Sequence, residues 1–200
     1  MKKLLSSVAL LAALLPVAAQ PSASAKRSLR SGVYLTGQDF LQGRMALESN
    51  PKLEDHKIKL NEFFNKSYIT VRHHGEEHRY QKNEIFGVRN GDGTDYRLVG
   101  GLDYEVLSKG PILLYKTSQN IQAKGQPLPL PYFFSVGPDA PVQRLSLAGL
   151  QKAYAGNHAF LSALDVSFPY GTSLVAYDAH NAQYRLNYLY QQSLLDKVAH

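Results

Sequence analysis

Apolar and polar residues alternate in short runs through the middle of the chain, and turn residues interrupt these runs at intervals of roughly eight to twelve positions. This pattern predicts an antiparallel meander, with strands at 56–60, 68–73, 76–81, 85–89, 94–99, 104–107 and 112–116. The reversals at 74–75, 90–93 and 109–111 contain glycine or proline, which supply the positive-φ and fixed-φ positions that turns need.

One hairpin can be paired residue by residue from its turn. A two-residue loop at His74-Gly75 pairs His73 with Glu76, Arg72 with Glu77, Val71 with His78 and Ile69 with Tyr80. Ile69, Val71 and Tyr80 then share the face that is predicted to be buried. The pairs predicted to face solvent are Arg72 with Glu77 and Thr70 with Arg79.

A short strand at 33–35 is predicted before the meander, followed by one helical turn. Thr36 is a capping residue, Asp39 lies in the first turn where its carboxylate can meet free amide hydrogens, and Gly43 ends the turn.

Helices are predicted after the meander. Three prolines in 126–131 predict an extended crossover, and a strand at 132–136 follows it. Ser146 and Asn157 then cap two short helices, the second of which stops at Pro169 and Gly171. Residues 173–196 fit either a helix or a hairpin, and a mostly helical segment is favoured. The fold class predicted for residues 33–200 is α+β, with an antiparallel β-sheet meander followed by a small C-terminal helical region in one domain.

The first 25 residues are predicted to be a cleavable secretory signal peptide. Lys2 and Lys3 precede an apolar run at 4–17, which is shorter than the roughly 20 residues of a membrane-spanning helix. Cleavage is expected after Ala25, with a site near 18–20 and an uncleaved anchor as alternatives. Residues 26–32 are expected to form a disordered lead-in. The protein is therefore expected to be exported through a bacterial inner membrane, to the periplasm or the extracellular medium, with no transmembrane segment after cleavage.

The amino-acid composition excludes several kinds of chemistry and binding. The chain has no cysteine, which excludes disulfides, thiol chemistry and a lipidated amino terminus. The formal net charge is +6, and much of it comes from Lys2, Lys3 and a basic stretch that begins at Lys26. Because the remainder is close to neutral, no nucleic-acid-binding face is predicted. The 13 tyrosines, among them Tyr184, Tyr188 and Tyr190, are typical of sheet packing or of an aromatic surface for glycans or peptides.

The histidines around the predicted hairpin tip are candidate metal ligands. Residues 74–78 match the H-x-x-E-H spacing of inverted zinc metallopeptidases. That chemistry needs a helix that brings both histidines to one face, whereas Gly75 lies in a predicted turn. A looser metal site formed by His73, His74 and His78 is the alternative to a simple solvated turn. No cofactor is predicted.

Other catalytic patterns are weak. Residues 90–95 resemble the start of a calcium loop, but Asp95 stands where glycine is required and Gly101 where the last acidic ligand belongs, which favours a hairpin turn. No serine-hydrolase elbow, Walker loop or dinucleotide fingerprint is present. A catalytic triad could also be assembled from residues that are distant in the sequence. Its candidates are a nearby serine together with His158, His180, Asp165 and Asp178.

Three segments carry a resemblance to a known family: Ser31-Gly32-Val33-Tyr34-Leu35-Thr36-x-x-Asp39-Phe40-x-x-Gly43, residues 56–61, and residues 150–158. They look like a family of uncharacterised exported bacterial proteins. The resemblance implies export and a β-rich domain with a helical tail, and it implies no catalytic residue.

The leading functional hypothesis is a non-enzymatic envelope or periplasmic protein. Such a protein would bind a small ligand, a glycan or another envelope protein or component through a sheet face. A hydrolase with a scattered catalytic group and a structural subunit that docks by a sheet edge are the alternatives.

Overall fold

The computed structural model describes residues 30–52, 54–60, 66–117, 132–169 and 173–196. The predicted signal peptide, most of the predicted lead-in and the proline-rich crossover lie outside these residues. The strands are β1 (Ser31–Tyr34), β2 (Ala46–Ser49), β3 (His56–Lys59), β4 (Tyr68–His73), β5 (Glu76–Gln81), β6 (Gly87–Arg89), β7 (Asp95–Val99), β8 (Leu102–Ser108), β9 (Leu113–Thr117), β10 (Tyr132–Ser135), β11 (Gln143–Arg144), β12 (Tyr177–Asp178) and β13 (Gln183–Tyr184). The helices are α1 (Gly37–Gln42), α2 (Leu147–Ala153), α3 (His158–Ser167) and α4 (Arg185–Asp196). The predicted α+β class is confirmed.

The strands form two larger sheets and one short hairpin. An eight-stranded antiparallel sheet has the order β11-β10-β9-β8-β7-β6-β1-β2, and β3-β4-β5 form a separate three-stranded sheet. The predicted meander is therefore correct from β6 to β9, and the strand predicted at 132–136 extends it as β10, whereas β3 to β5 do not continue it. Alternation of apolar residues predicts strands but not their partners. Here β1 occupies the place beside β6 that β5 would take in one continuous meander.

The predicted hairpin register is confirmed along the whole of β4 and β5. His73 lies opposite Glu76, and Ile69 lies opposite Tyr80. The prediction that Thr70 faces solvent is wrong, because only 8% of this residue is exposed. Thr70 lies on the central strand between Lys59 and Arg79, whose longer side chains flank it on both sides.

The predicted helical turn after β1 is confirmed as α1. The Thr36 hydroxyl accepts the backbone N–H of Asp39 at 3.1 Å, and the Asp39 carboxylate accepts the backbone N–H of Thr36 at 3.2 Å. This reciprocal capping box satisfies two amide groups that the helix itself leaves unpaired. Gly43 ends the helix with φ of 68°, in the left-handed region that suits glycine. β1 begins at Ser31, so the last two residues of the predicted lead-in belong to a strand.

Two apolar cores lie on the same face of the eight-stranded sheet. At one end, the three-stranded sheet packs on it through Ile69 and Val71 against Val33 and Val88. At the other end, α2, α3 and α4 pack on β9 and β10 through buried residues that include Leu150, Phe160, Leu164 and Leu186. Between these cores, a row of half-buried paired residues crosses β7 to β10: Tyr96, Glu105, Lys116 and Tyr132.

The prediction for residues 173–196 is only partly right. The structure has the hairpin of β12 and β13 first, and α4 begins only at Arg185. The chain reverses because the Asp178 carboxylate accepts the backbone N–H groups of His180 and Asn181, and because Ala182 adopts φ of 50°. The short strands β2 and β11, which the sequence does not predict, lie at the two edges of the eight-stranded sheet.

Candidate binding site

A cleft of about 410 Å³ is lined by β12, the residues on either side of it and the first turns of α4. Its lining residues are Ala176, Tyr177, Asp178, Ala179, Arg185, Tyr188 and Leu189. The backbone N–H of Arg185 donates to the carbonyl of Ala176 at 2.9 Å, which ties the start of the helix to the hairpin. Tyr188 follows Arg185 by three positions, so both side chains project from one face of α4.

The turn beside the cleft is stabilised by the Asp178 carboxylate. Oδ1 accepts the backbone N–H groups of His180 at 3.0 Å and Asn181 at 3.1 Å, and Oδ2 accepts the Asn181 side-chain amide at 2.8 Å. The hydrogen bonds from Asn181 hold the pKa of Asp178 below its ordinary value. Asp178 is therefore a fixed negative charge at neutral pH.

Two tyrosines face each other across the hairpin. Tyr177 lies directly opposite Tyr184, with ring centroids 5.5 Å apart and ring planes at 87°. An edge-to-face pair of this kind contributes about 0.5–1.5 kcal/mol beyond the area it buries. Tyr177 is nevertheless 59% exposed, so its ring is held in place while remaining accessible. We refer to Tyr177, Asp178, Tyr184, Arg185 and Tyr188 as the tyrosine cleft.

Tyr184 of the tyrosine cleft lies near the Glu105, Lys116 and Tyr132 side chains of the eight-stranded sheet. Burial raises the pKa of Tyr184, and Glu105, Lys116 and Tyr132 lie close enough to influence that pKa as well. Lys116 and Glu105 are paired across β8 and β9 at 2.8 Å. The Tyr184 ring, which packs against Tyr177, is therefore also close to the Glu105–Lys116 ion pair.

Asn187 fixes α4 to the sheet. Its side-chain oxygen accepts the backbone N–H of Ile112 at 2.8 Å, and its amide nitrogen donates to the Ile112 carbonyl at 3.1 Å and to Ser108 Oγ at 3.0 Å. Gly110 lies directly against this side chain, since a Cβ at that position would come within 2.6 Å of it. Sequence reasoning missed Asn187, because a single asparagine on a helix carries no signal for contacts 75 residues away.

Of the three tyrosines noted in the sequence, Tyr190 has a different role. Its ring packs at 5.1 Å from Tyr154 and at 5.3 Å from Phe160, in the core between α3 and α4. Tyr184 and Tyr188 belong to the tyrosine cleft. The carboxyl-terminal tyrosines therefore divide between packing and surface.

A second polar cluster lies on the opposite face of the sheet, around Asp95. Its carboxylate accepts the Tyr34 hydroxyl and Arg89 Nε, each at 2.8 Å, and Lys109 Nζ lies 3.0 Å away. Burial alone would raise the pKa of Asp95, but Arg89 and Lys109 outweigh it and hold the pKa below its ordinary value. The Lys109 ammonium also lies 4.0 Å from the centre of the Phe40 ring. This cluster is enclosed by its own partners and links α1, β1 and β7.

The structure brings only part of the candidate metal-ligand set together: the rings of His73 and His74 lie 4.1 Å apart, whereas His78 lies beside Glu76. His73 Nδ1 lies 3.2 Å from Nδ1 of His56, while His74 lies 3.6 Å from Glu54 and His78 lies 3.8 Å from Glu76. Residues 73–76 form a hairpin tip and not a helix, so the metallopeptidase geometry is absent. Within the described residues, no group of three or more histidine and acidic side chains could hold a metal ion.

The structure also places the other predicted candidates. Residues 90–94 form the turn between β6 and β7, where the Asn90 and Asp92 side chains both accept the backbone N–H of Thr94. His158 and His180 are both exposed. Asp165 accepts a hydrogen bond from Gln151 at 3.1 Å. Among the residues described, neither histidine is hydrogen-bonded to a serine hydroxyl, so no triad is assembled there.

Comparison with protein-family models, with curated proteins and with solved structures found no match for this chain. None of the helices in the described ranges is long and apolar enough to cross a membrane.

Proposed function

We propose that this chain is a non-enzymatic binding domain that takes a short glycan into the tyrosine cleft. The proposal rests on one observation: an exposed tyrosine, Tyr177, is held edge-to-face by Tyr184 beside a cleft that also contains Arg185 and Asp178. Ligand sites typically combine aromatic walls with a few fixed polar groups.

The chemistry of the tyrosine cleft suits a sugar. The flat ring of Tyr177 offers an apolar surface for the C–H face of a pyranose, and a pre-positioned ring loses little conformational entropy on binding. The Arg185 guanidinium has five N–H donors for hydroxyl groups. The Asp178 carboxylate has about four lone-pair sites, of which three are used within its turn, so one remains for a sugar hydroxyl.

The same geometry favours binding over acid catalysis. A general acid in a glycosidase needs a carboxyl group whose pKa is raised. The pKa of Asp178 is lowered instead, because Asn181 and the backbone of the turn hydrogen-bond its charged form. His180, two residues away, is exposed and donates its backbone N–H to Asp178. A carboxylate that stays charged and is held in place by its turn suits ligand binding better than proton donation.

A glycan array followed by calorimetry tests this function. The protein is screened against bacterial and host glycans, and each hit is titrated with the parent protein, Tyr177→Ala and Tyr177→Phe. Tyr177→Ala should weaken binding by at least about tenfold, because an aromatic contact contributes roughly 1.5–3 kcal/mol, whereas Tyr177→Phe should retain most of the affinity. Tyr68→Ala on the three-stranded sheet is the matched control and should bind as the parent does. Equal affinity for all four proteins would contradict the proposal.

We further propose that the protein acts outside the bacterial inner membrane, in the periplasm or the medium. The support is the signal-peptide pattern of residues 1–25, which lie outside the described part of the chain. Intact-mass measurement of the protein from the periplasm should give a chain that begins at Lys26. Accumulation in the cytoplasm with residues 1–25 retained would overturn this proposal.

A further inference from the structure

Positive charge is concentrated on the outer face of the three-stranded sheet. The register places Lys57, Lys59, Arg72 and Arg79 on one side of β3, β4 and β5. All four residues are exposed. The apolar residues at the alternate positions, such as Ile58, Ile69 and Val71, pack into the core beneath the sheet, so the four cations lie on its opposite, outer side. We refer to these four residues as the basic face.

The charges on the basic face are only partly neutralised. Lys57 lies directly opposite Arg72, an arrangement of like charges that destabilises a sheet. Arg72 pairs with Asp55 at 2.7 Å, and Arg79 pairs with Glu77 at 3.2 Å. Within the described ranges, neither Lys57 nor Lys59 forms a salt bridge. Folding therefore tolerates an excess of positive charge on one flat surface.

We propose that the basic face docks the protein on an anionic lipid bilayer. A flat sheet presents its side chains in one plane, with strands about 4.8 Å apart and same-face residues roughly 7 Å apart along each strand. A planar array of cations matches a planar array of lipid phosphates. Each basic side chain near such a surface strengthens binding by about fivefold. This proposal is independent of the tyrosine cleft, which lies on a different sheet.

Single-stranded nucleic acid is the competing anionic partner, and the basic face suits it less well. Sheets that bind single strands stack several bases on accessible aromatic rings. On the described strands, Tyr68 is the only aromatic residue of this face. Lys66 Nζ lies 5.4 Å from the centre of its ring, and the Arg79 guanidinium lies 5.3 Å from it. A lipid surface needs no such stacking.

Vesicle co-sedimentation tests the proposal. The protein is purified in the form that accumulates in the producing cell. It is then mixed with vesicles of phosphatidylcholine alone or of phosphatidylcholine with phosphatidylglycerol. The variants are Lys57→Gln with Lys59→Gln, and the control pair Arg144→Gln with Lys152→Gln. Both variants lose two exposed cations, but only the first loses them from the basic face. Comparing variants in the same form cancels any contribution from residues 1–29.

The expected result is binding that requires phosphatidylglycerol and weakens as salt is added. The Lys57/Lys59 variant should bind these vesicles about 25-fold more weakly, whereas the control variant should bind within a fewfold of the parent. Equal losses for the two variants would overturn the proposal, since net charge alone would then explain binding. Tighter binding to an oligonucleotide than to the vesicles, lost in the Lys57/Lys59 variant, would also overturn it in favour of nucleic acid.

Discussion

The side-chain oxygen of Asn187 accepts the backbone N–H of Ile112, and the amide of Asn187 donates back to the carbonyl of Ile112. The asparagine thereby pairs with a backbone segment as a strand would. It also holds α4, and with it Arg185 and Tyr188, at a fixed distance from the eight-stranded sheet. The geometry of the tyrosine cleft therefore depends on a residue that does not line it.

Replacement of Asn187 by alanine should be strongly destabilising. Only 1% of Asn187 is exposed, and its loss leaves a buried donor and acceptor of Ile112 without partners. An unpaired buried polar group costs about 1–3 kcal/mol, so the free energy of unfolding in urea should fall by about 3 kcal/mol. Asn83→Ala, at an exposed turn, is the control and should change it by less than about 0.5 kcal/mol. Equal effects of the two substitutions would show that Asn187 does not anchor α4.

Gly110 and Asn187 should be energetically coupled. A Cβ at position 110 would meet the Asn187 side chain at 2.6 Å, and that side chain is held by three hydrogen bonds. Gly110→Ala should therefore destabilise the parent protein more than it destabilises the Asn187→Ala variant. A double-mutant cycle measures the difference, which is expected to be about 1 kcal/mol. Additive effects would indicate that the helix shifts freely past the 108–112 turn.

The buried ion pair between the two sheets should tolerate loss of both charges better than loss of one. Lys82 Nζ lies 2.9 Å from the Asp103 carboxylate, with side-chain exposures of 3% and 0%. Asp103→Asn leaves a buried ammonium group unpaired, and the free energy of unfolding should fall by about 3–5 kcal/mol. Lys82→Met with Asp103→Leu should recover much of that loss.

The exposed pair of Arg79 and Glu77 provides the control for the buried pair. Glu77→Gln should cost less than about 1 kcal/mol, because solvent screens the charges. If Asp103→Asn were equally mild, the link between the two sheets would not depend on this ion pair.

Stability should decrease as the pH falls through the range in which His56 titrates. Burial lowers the pKa of His56 below its ordinary value of 6.5, and the neighbouring His73 lowers it further. The unfolded chain therefore binds this proton at a higher pH than the folded chain does. The free energy of unfolding should fall as the pH drops from about 7 through 6.5 to the folded pKa, and this contribution should be constant below that pKa.

Urea unfolding at several pH values tests the role of His56. His56→Gln should flatten the dependence between pH 7 and the folded pKa, because it removes the titrating group. His158→Gln replaces an exposed histidine on α3 and serves as the control for the substitution itself. An unchanged slope in His56→Gln would assign the dependence to other groups.

The sequence predicts those features whose causes lie within a few residues. Thr36 and Asp39 form their capping box with each other, and His74-Gly75 sets the register of its own hairpin, so both predictions are confirmed. The turn at Asp178 also has local causes. It was not predicted, because the apolar residues around it are spaced as in a helix. The separate three-stranded sheet and the contact of Asn187 with Ile112 depend on distant partners, which no local pattern specifies.

The candidate site was likewise predictable only where its residues are close together in the sequence. Tyr184 and Tyr188 could be noted from their clustering, but only the hairpin brings Tyr177 against Tyr184 and next to Arg185. The sequence does not predict the basic face. The net charge averaged over this part of the chain is close to zero, and only the pairing of three strands brings the alternating cations to one side.

NMR mapping of a bound glycan would show directly whether the tyrosine cleft is the binding site. Spectra of the ¹⁵N-labelled protein with ¹³C-labelled tyrosine rings would be recorded while the best glycan from the array is added. Shifts are expected in the rings of Tyr177, Tyr184 and Tyr188 and in the backbone of residues 176–189, with little change in β3, β4 and β5. Shifts confined to the three-stranded sheet, or no shifts with any glycan at millimolar concentration, would show that the tyrosine cleft does not bind glycans.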